Sequence, residues 1–201
     1  MCSFHISMIC LEHSVKKIVM LCLLLYMPTM LLNPRLFQLP PSEIQQIGLH
    51  NLTYGSLTRK GVATTVEALQ RHWKQPVRGL DLGCGDGELI WHLGQSLPGS
   101  EWEGVEISEH RVSQQVRDVC IWQGDMLQEN FRLYNVLHAD NLCLDDSIAE
   151  KLEEKIAREF EGLYLTYRTP VSVAFLRRAW FVESIWTETT WTQHPILYYL
   201  L

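Results

Sequence analysis

The feature that constrains the fold most is a regular alternation of short apolar segments and helical patterns that begins near residue 77. Strands that alternate with helices form a parallel sheet with helices on both faces. The sequence therefore predicts an α/β fold with a doubly wound, mostly parallel, Rossmann-like sheet. After Pro170, two β-rich runs predict a C-terminal antiparallel hairpin. The predicted strands lie at residues 78–83, 101–108, 120–125, 134–140 and 162–167, and the predicted helices at 88–97, 110–119 and 145–160.

The turn after the first strand has glycines at alternating positions in DLGCGDGE, residues 81–88. A dinucleotide-binding turn reads G-x-G-x-x-G and directs a helix N-terminus at a pyrophosphate. Here Asp81, Asp86 and Glu88 surround the place where the phosphates would lie. Like charges at short range are costly where water is partly excluded. A cofactor with a nucleoside, no phosphate and a positive charge fits better, and S-adenosylmethionine has this composition.

Two further acids follow later strands. Glu106 ends the second strand 19 residues after Gly87, close to the spacing of about 20 at which an acid binds a ribose diol. Asp125 follows the third strand, where a carboxylate can accept from an adenine amino group. Asp86 and Glu88 are interpreted as helix-start residues that the helix dipole favours.

Charge and cysteine usage exclude some functions. The formal net charge is −6 and no run of Lys or Arg exceeds two residues, so strong intrinsic nucleic-acid binding is not expected. The six cysteines are scattered without a CxxC pair, which predicts neither a disulfide framework nor a metal site. The histidines, including His110 and His138, lack partners at ligand spacing and are interpreted as ordinary polar positions.

The first 39 residues differ in character from the rest. Residues 18–32 form an apolar run of 15 residues, shorter than the roughly 20 needed to span a bilayer. This run is either a signal anchor or other membrane-associated segment, or the true start lies at Met27 or Met30 and the residues upstream of it are not part of the working protein. The prolines at 40 and 41 predict that an apolar N-terminal segment, 1–39, gives way there to a domain covering 40–201.

The glycine turn, the acid that ends the second strand and the Gly-Asp after the third resemble those of class I S-adenosylmethionine-dependent methyltransferases. Three more segments resemble the disruptor-of-telomeric-silencing (DOT) family of histone lysine methyltransferases, from near Ile44 to the C-terminus. They are LTYGSLT at 52–58, HADNLCL with the acidic helix after it at 138–161, and WTQHPILYYL at 191–200. The resemblance implies methyl transfer from S-adenosylmethionine to a protein lysine, with histones as candidate substrates and the nucleus as the compartment if histones are methylated.

The resemblance also implies roles for individual residues. Asp140 and Asn141 stand beside the transferred methyl group, and Trp191 and Tyr198 form part of the lysine channel. Strand alternation places Tyr198 and Tyr199 on opposite faces, so at most one lines a channel. The residues that the resemblance assigns to the cofactor are Tyr54, Asp81, Gly83, Gly85, Glu106, Asp125 and Met126.

Four positions depart from the family pattern: Ser56 replaces a glutamate, Asp140 an asparagine, and Leu142 and Leu144 two phenylalanines. Two alternatives therefore stay open. One is a methyltransferase that acts on RNA or a small molecule, and the other is a non-catalytic scaffold of the same fold. The compartment stays open between nucleus and cytoplasm, with or without an N-terminal membrane anchor: histone substrates would favour the nucleus, but no basic localisation cluster is visible.

Overall fold

The computed structural model describes residues 33–201, so the apolar run at 18–32 and the alternative starts at Met27 and Met30 lie outside the described residues. The described residues form seven strands: β1 (Arg78–Leu82), β2 (Glu101–Glu106), β3 (Cys120–Gln123), β4 (Val136–Ala139), β5 (Leu163–Thr166), β6 (Trp180–Glu188) and β7 (Gln193–Leu200). They pair into one sheet in the order β3-β2-β1-β4-β5-β7-β6.

The strand pairing confirms the predicted fold. Strands β1 to β5 are all parallel to one another, whereas β7 runs antiparallel to both β5 and β6. The C-terminal hairpin thus adds to the β5 edge with its second strand innermost. The chain leaves β1 towards β2 on one side and later places β4 on the other side, and ligands bind at such a switch point in open α/β sheets.

Helices cover both faces of the sheet. The helices are α1 (Pro41–Ile47), α2 (Arg59–His72), α3 (Glu88–Ser96), α4 (Glu109–Val112), α5 (Asp146–Glu159) and α6 (Val173–Arg178). Side chains of α2 and α3 pack with Val136 and Leu163 on one face, and side chains of α5 and α6 pack with Leu137 and Tyr164 on the other. This alternation follows from the two-residue period of a strand.

The helix predicted at 110–119 is much shorter in the structure, where α4 ends at Val112. Side chains beyond it bind backbone carbonyls and so compete with helical hydrogen bonds. The side-chain amide of Gln115 donates to the backbone carbonyls of Arg117 and Val119 at 2.8 and 2.7 Å. The Ser113 hydroxyl donates to the backbone carbonyl of His110 at 2.6 Å. The helical sequence pattern was therefore overridden by local side-chain bonds.

Residues before the predicted domain boundary at 40 take part in the described fold. A 3₁₀ turn at Pro34–Phe37 buries Leu36 completely, and α1 follows directly. We call residues 33–55 the N-terminal strap. No helix within residues 33–201 has the length and apolar character needed to cross a membrane.

Candidate functional site

A cavity of about 620 Å³ lies where the parallel strands end. Its floor comes from the ends of β1, β2 and β3 and from Asp140 after β4, and the N-terminal strap forms much of the opposite wall. The volume falls within the range of roughly 300–1,000 Å³ that is typical of small-molecule and cofactor sites. Three of the strand-end acids, Glu106, Asp125 and Asp140, line this cavity at the switch point of the sheet.

The cavity is strongly acidic. Among the described residues that line it, five are carboxylates and one, Arg111, is a guanidinium. Such a lining disfavours a ligand phosphate and favours a ligand that carries positive charge. The five carboxylates are those of Glu43, Glu106, Glu109, Asp125 and Asp140.

The glycine turn approaches the strap closely. Gly85 has a φ of +61°, and a Cβ atom built there would lie 2.4 Å from the Tyr54 ring. Both the left-handed backbone and this contact require glycine. Tyr54 and Gly83 line the cavity, so the turn and the strap enclose it from two sides.

Glu106 joins the glycine turn to the end of β2. Its Oε2 accepts from the Gly85 amide at 3.0 Å and its Oε1 accepts from the Ser108 amide at 2.9 Å. Burial raises the pKa of Glu106, while the Arg111 guanidinium and both amides oppose that rise. Because a carboxylate offers about four acceptor positions, Glu106 keeps capacity for two ligand hydroxyls.

Arg111 holds the strap to this acid, and sequence reasoning did not single it out. The guanidinium is buried, with Nη1 3.7 Å from Glu106 Oε1, and it donates to the carbonyls of Leu36 and Leu52. It also lies 5.0 Å from the centre of the Tyr54 ring. No sequence motif marks this arginine, because its partners are backbone carbonyls far away in the chain.

Two more contacts fix the strap. Glu43 on α1 accepts from the Ser108 hydroxyl at 2.5 Å and from the His110 amide at 3.0 Å, at the start of α4. Asn51 and Asp145 exchange two hydrogen bonds of 3.0 Å, which tie the strap to the start of α5. The strap is therefore fastened on both sides of the cavity.

Asp125, Met126 and Asp140 line the cavity, as the assignment of these positions to the site requires. Asp125 Oδ1 accepts a hydrogen bond from the backbone amide of Leu127 at 2.9 Å. Asp125 Oδ2 has no hydrogen bond with another described residue. Asp140 Oδ2 is buried and has no hydrogen-bond partner among the described residues. Burial raises the pKa of Asp140 to about 6, with His138 opposing and Asp81 adding to the rise.

Asp81 lies behind the cavity rather than in its lining, in contrast to the predicted contact with the cofactor. Its Oδ1 is 2.7 Å from Nδ1 of His138, which stands beside it in the register of β1 and β4. The interpretation of His138 as an ordinary polar position was wrong in that respect. Aligning the ends of the two parallel strands, LDLG and LHAD, would have placed the pair together.

Asn141 does not reach the cavity lining either, contrary to its predicted place beside the methyl group. Its Oδ1 accepts from the Thr166 hydroxyl at 2.8 Å and from the Tyr167 amide at 3.1 Å. Its Nδ2 donates to the Tyr164 hydroxyl at 3.3 Å. The side chain thus ties the end of β4 to the end of β5.

We expect Asn141→Ala to lower the free energy of unfolding by about 1–3 kcal/mol, because it leaves buried donors and acceptors without partners. Ligand affinity of the folded variant should stay close to that of the parent chain. Urea denaturation and ligand titration measure the two quantities separately. Loss of affinity with unchanged stability would restore the catalytic assignment.

The two predicted channel residues separate in the structure. Tyr198 is fully buried in the core cluster beside α2 and is absent from the described cavity lining, which corrects its assignment to the channel. Tyr199 packs against Phe175 on the opposite face.

Trp191 is 42% exposed and covers Gly55, where a built Cβ would lie 1.8 Å from the Trp191 ring. Since Gly55 lines the cavity, Trp191 stands beside its wall.

No protein-family model matches the chain, and no curated protein matches it. Similar solved structures exist. Magnesium protoporphyrin IX methyltransferase (ChlM) from Synechocystis PCC 6803 with bound SAM is 17% identical, with a TM-score of 0.53, over 71% of this chain and 78% of that chain. The PH0226 protein from Pyrococcus horikoshii OT3 is 14% identical, with a TM-score of 0.56, over 71% and 90%. The chain therefore has the Rossmann-like methyltransferase fold.

Proposed function

We propose that the protein is an S-adenosylmethionine-dependent methyltransferase that acts on a protein lysine. The use of S-adenosylmethionine as cofactor is supported by the acidic cavity at the switch point of the sheet, with Glu106 buried where β2 ends. A cavity with five carboxylates suits a sulfonium ligand and repels a phosphate. The methyltransferase fold, and the SAM bound in the ChlM structure, agree with this choice of cofactor.

The residues present fit the cofactor. Glu106 has free acceptor positions for the ribose hydroxyls, and Asp125 has a free oxygen for the adenine amino group. Gly83 lines the cavity with nothing within 4 Å of a built Cβ, so the turn would leave room there for the methionine end, with Tyr54 in the same lining. Met126 adds apolar lining beside Asp125. When bound, S-adenosylmethionine supplies a methyl group that its sulfonium charge already activates.

The second half of the proposal, a lysine amine as acceptor, is supported by Asp140 and by the resemblance to the DOT family. Asp140 lines the cavity, and its buried Oδ2 has no hydrogen-bond partner among the described residues, so this oxygen could accept from an ammonium group that enters. A carboxyl with a pKa near 6 is a stronger base than an ordinary aspartate. Asp140 therefore both attracts the protonated amine and accepts its proton, which prepares the amine for attack.

Positioning and exclusion of water account for the rest of the rate enhancement. Arg111, Glu43 and Asn51 hold the strap over the cavity, and Trp191 supports Gly55 in its wall. A closed, water-poor site aligns the reacting groups and favours the neutral amine. The net charge of −6 favours a basic acceptor protein such as a histone.

The proposal is tested by incubating the full chain with methyl-labelled S-adenosylmethionine and three acceptor pools: histones with other basic proteins, RNA, and small metabolites. Mass spectrometry then locates the label. Label on lysine side chains supports the proposal. Label that enters only RNA or metabolites would replace lysine as the acceptor but keep the methyltransferase, and binding without any transfer would favour a scaffold.

A pH profile tests the role of Asp140. Since the base must be ionised, kcat/KM should fall as the pH drops through about 6, where Asp140 takes up a proton. Asp140→Asn should lower kcat/KM by about 100-fold or more and remove this limb from the profile. An unchanged limb in Asp140→Asn would assign the titration to another group.

A further inference from the structure

The buried pair of Asp81 and His138 is not explained by cofactor contacts, because Asp81 lies behind the cavity lining. Both side chains are almost completely buried, at 3% and 2% exposure, and they are joined by the 2.7 Å bond between Oδ1 and Nδ1. On its other side, Nε2 of His138 lies 3.2 Å from the hydroxyl of Tyr167. The imidazole thus has a partner on each nitrogen.

We propose that His138 carries a proton in the free protein, and that binding of the cationic cofactor in the cavity displaces this proton to the solvent. His138 is then a positioning residue that supplies the positive charge beside Asp81 and Asp140 until the ligand supplies it. The identity of the ligand rests on the proposed function, whereas the protonated state of His138 in the free protein does not.

The hydrogen bonds of His138 can be complete in both states. In the cationic state, Nδ1–H donates to Asp81 and Nε2–H donates to the oxygen of Tyr167. In the neutral state, Nδ1–H still donates to Asp81 and the Tyr167 hydroxyl turns to donate to Nε2. Only the Nε2–H bond breaks, and its proton leaves to the solvent. A buried group that keeps its partners in both forms changes charge without losing a hydrogen bond.

The charge of Asp81 affects the pKa values of residues that line the cavity. Asp81 contributes to raising the pKa values of Tyr54, Glu106 and Asp140, although burial is the largest cause in each case. A positive ligand near these groups therefore acts on the Asp81–His138 pair as well. Repulsion between two positive charges favours the neutral imidazole, so the proton is released.

The groups that face His138 favour its protonation in the free protein. They are Asp81 on β1, Tyr167 after β5, and Asp140 beyond the end of β4. Burial alone would lower the pKa of His138, but the charge and hydrogen bond of Asp81, together with Asp140, raise it above the ordinary value. Ligand binding removes part of this advantage, because a positive ligand beside Asp140 offsets negative charge that favours the cationic imidazole.

The test has two parts. First, ¹⁵N NMR of the imidazole in the free full chain should show both nitrogens of His138 protonated at neutral pH. Second, calorimetric titration of S-adenosylmethionine in buffers of different ionisation enthalpy should show release approaching about one proton per bound ligand. S-adenosylhomocysteine, which lacks the sulfonium charge, should release less.

Matched variants separate this role from a structural one. His138→Gln can keep both hydrogen bonds but cannot titrate, so its binding should release almost no proton. The control is His92→Gln, which removes a histidine on α3 whose Nε2 lies 3.2 Å from Oε1 of Glu88. It should leave proton release unchanged.

A neutral His138 in the free protein overturns the inference, whatever binds. Binding with equal proton release in His138→Gln also overturns it while leaving the proposed function intact. No binding at all would overturn both.

Discussion

Gly85→Ala is expected to destabilise the protein by about 2–5 kcal/mol, the combined cost of two separate effects. At a φ of +61°, an alanine is forced into the left-handed region, and its Cβ would lie 2.4 Å from the ring of Tyr54. Because Tyr54 is packed between Gly85 and Arg111, its ring must leave this packing to admit the added methyl group. The folded variant should also bind S-adenosylmethionine at least about 10-fold more weakly.

Two other glycines serve as matched controls. Gly83 has a φ of +90° with nothing within 4 Å of a built Cβ, so Gly83→Ala should show only the strain, about 1–2 kcal/mol. Gly94 on α3 has neither feature, and Gly94→Ala should stabilise by about 0.5–1 kcal/mol. Denaturant unfolding measures all three. Equal losses at residues 83 and 85 would mean that the contact with Tyr54 has no energetic weight.

The second large effect is expected at Arg111. Arg111→Met should lower the free energy of unfolding by about 3–5 kcal/mol, because Glu106 is left buried without a compensating charge. The carbonyls of Leu36 and Leu52 also lose their donor, so the strap should loosen. Hydrogen exchange should then rise over residues 33–55, as measured by mass spectrometry on the full chain.

A double variant isolates the charge effect from the strap. Adding Glu106→Gln to Arg111→Met should recover part of the lost stability, since the buried charge disappears with its partner. Arg78→Met is the surface control: its pair with Glu101 is 4.0 Å apart and exposed, and the expected change is within about 0.5 kcal/mol. Additive losses in the double variant would show that Arg111 and Glu106 do not interact.

Much of the fold was readable from the sequence because it depends on local patterns. Two-residue and helical periods in the apolar residues predict β1 to β5 and the helices between most of them, and the β-rich runs after Pro170 predict β6 and β7. The helix predicted at 110–119 was wrong beyond Val112, where Ser113 and Gln115 bind backbone carbonyls. Apolar periodicity carries no information about such bonds.

The candidate site was predictable where it depends on strand ends and not where it depends on side-chain direction. Glu106, Asp125 and Asp140 line the cavity because residues at the ends of parallel strands meet at one edge. Asn141 directly follows Asp140 and Tyr198 lies in β7, but the Asn141 side chain ties β4 to β5 and the Tyr198 side chain is buried in the core. The strap contacts of Arg111 join residues more than fifty positions apart, which no short motif reveals.

The most direct measurement is calorimetric titration of S-adenosylmethionine into the full chain, beside Glu106→Gln and the exposed control Glu101→Gln. We expect binding by the parent and by Glu101→Gln, with binding weakened by about 1–3 kcal/mol in Glu106→Gln because a charged acceptor of the ribose hydroxyls is lost. A folded parent chain that does not bind S-adenosylmethionine, or equal affinity in all three proteins, would contradict the assignment of this cavity to the cofactor.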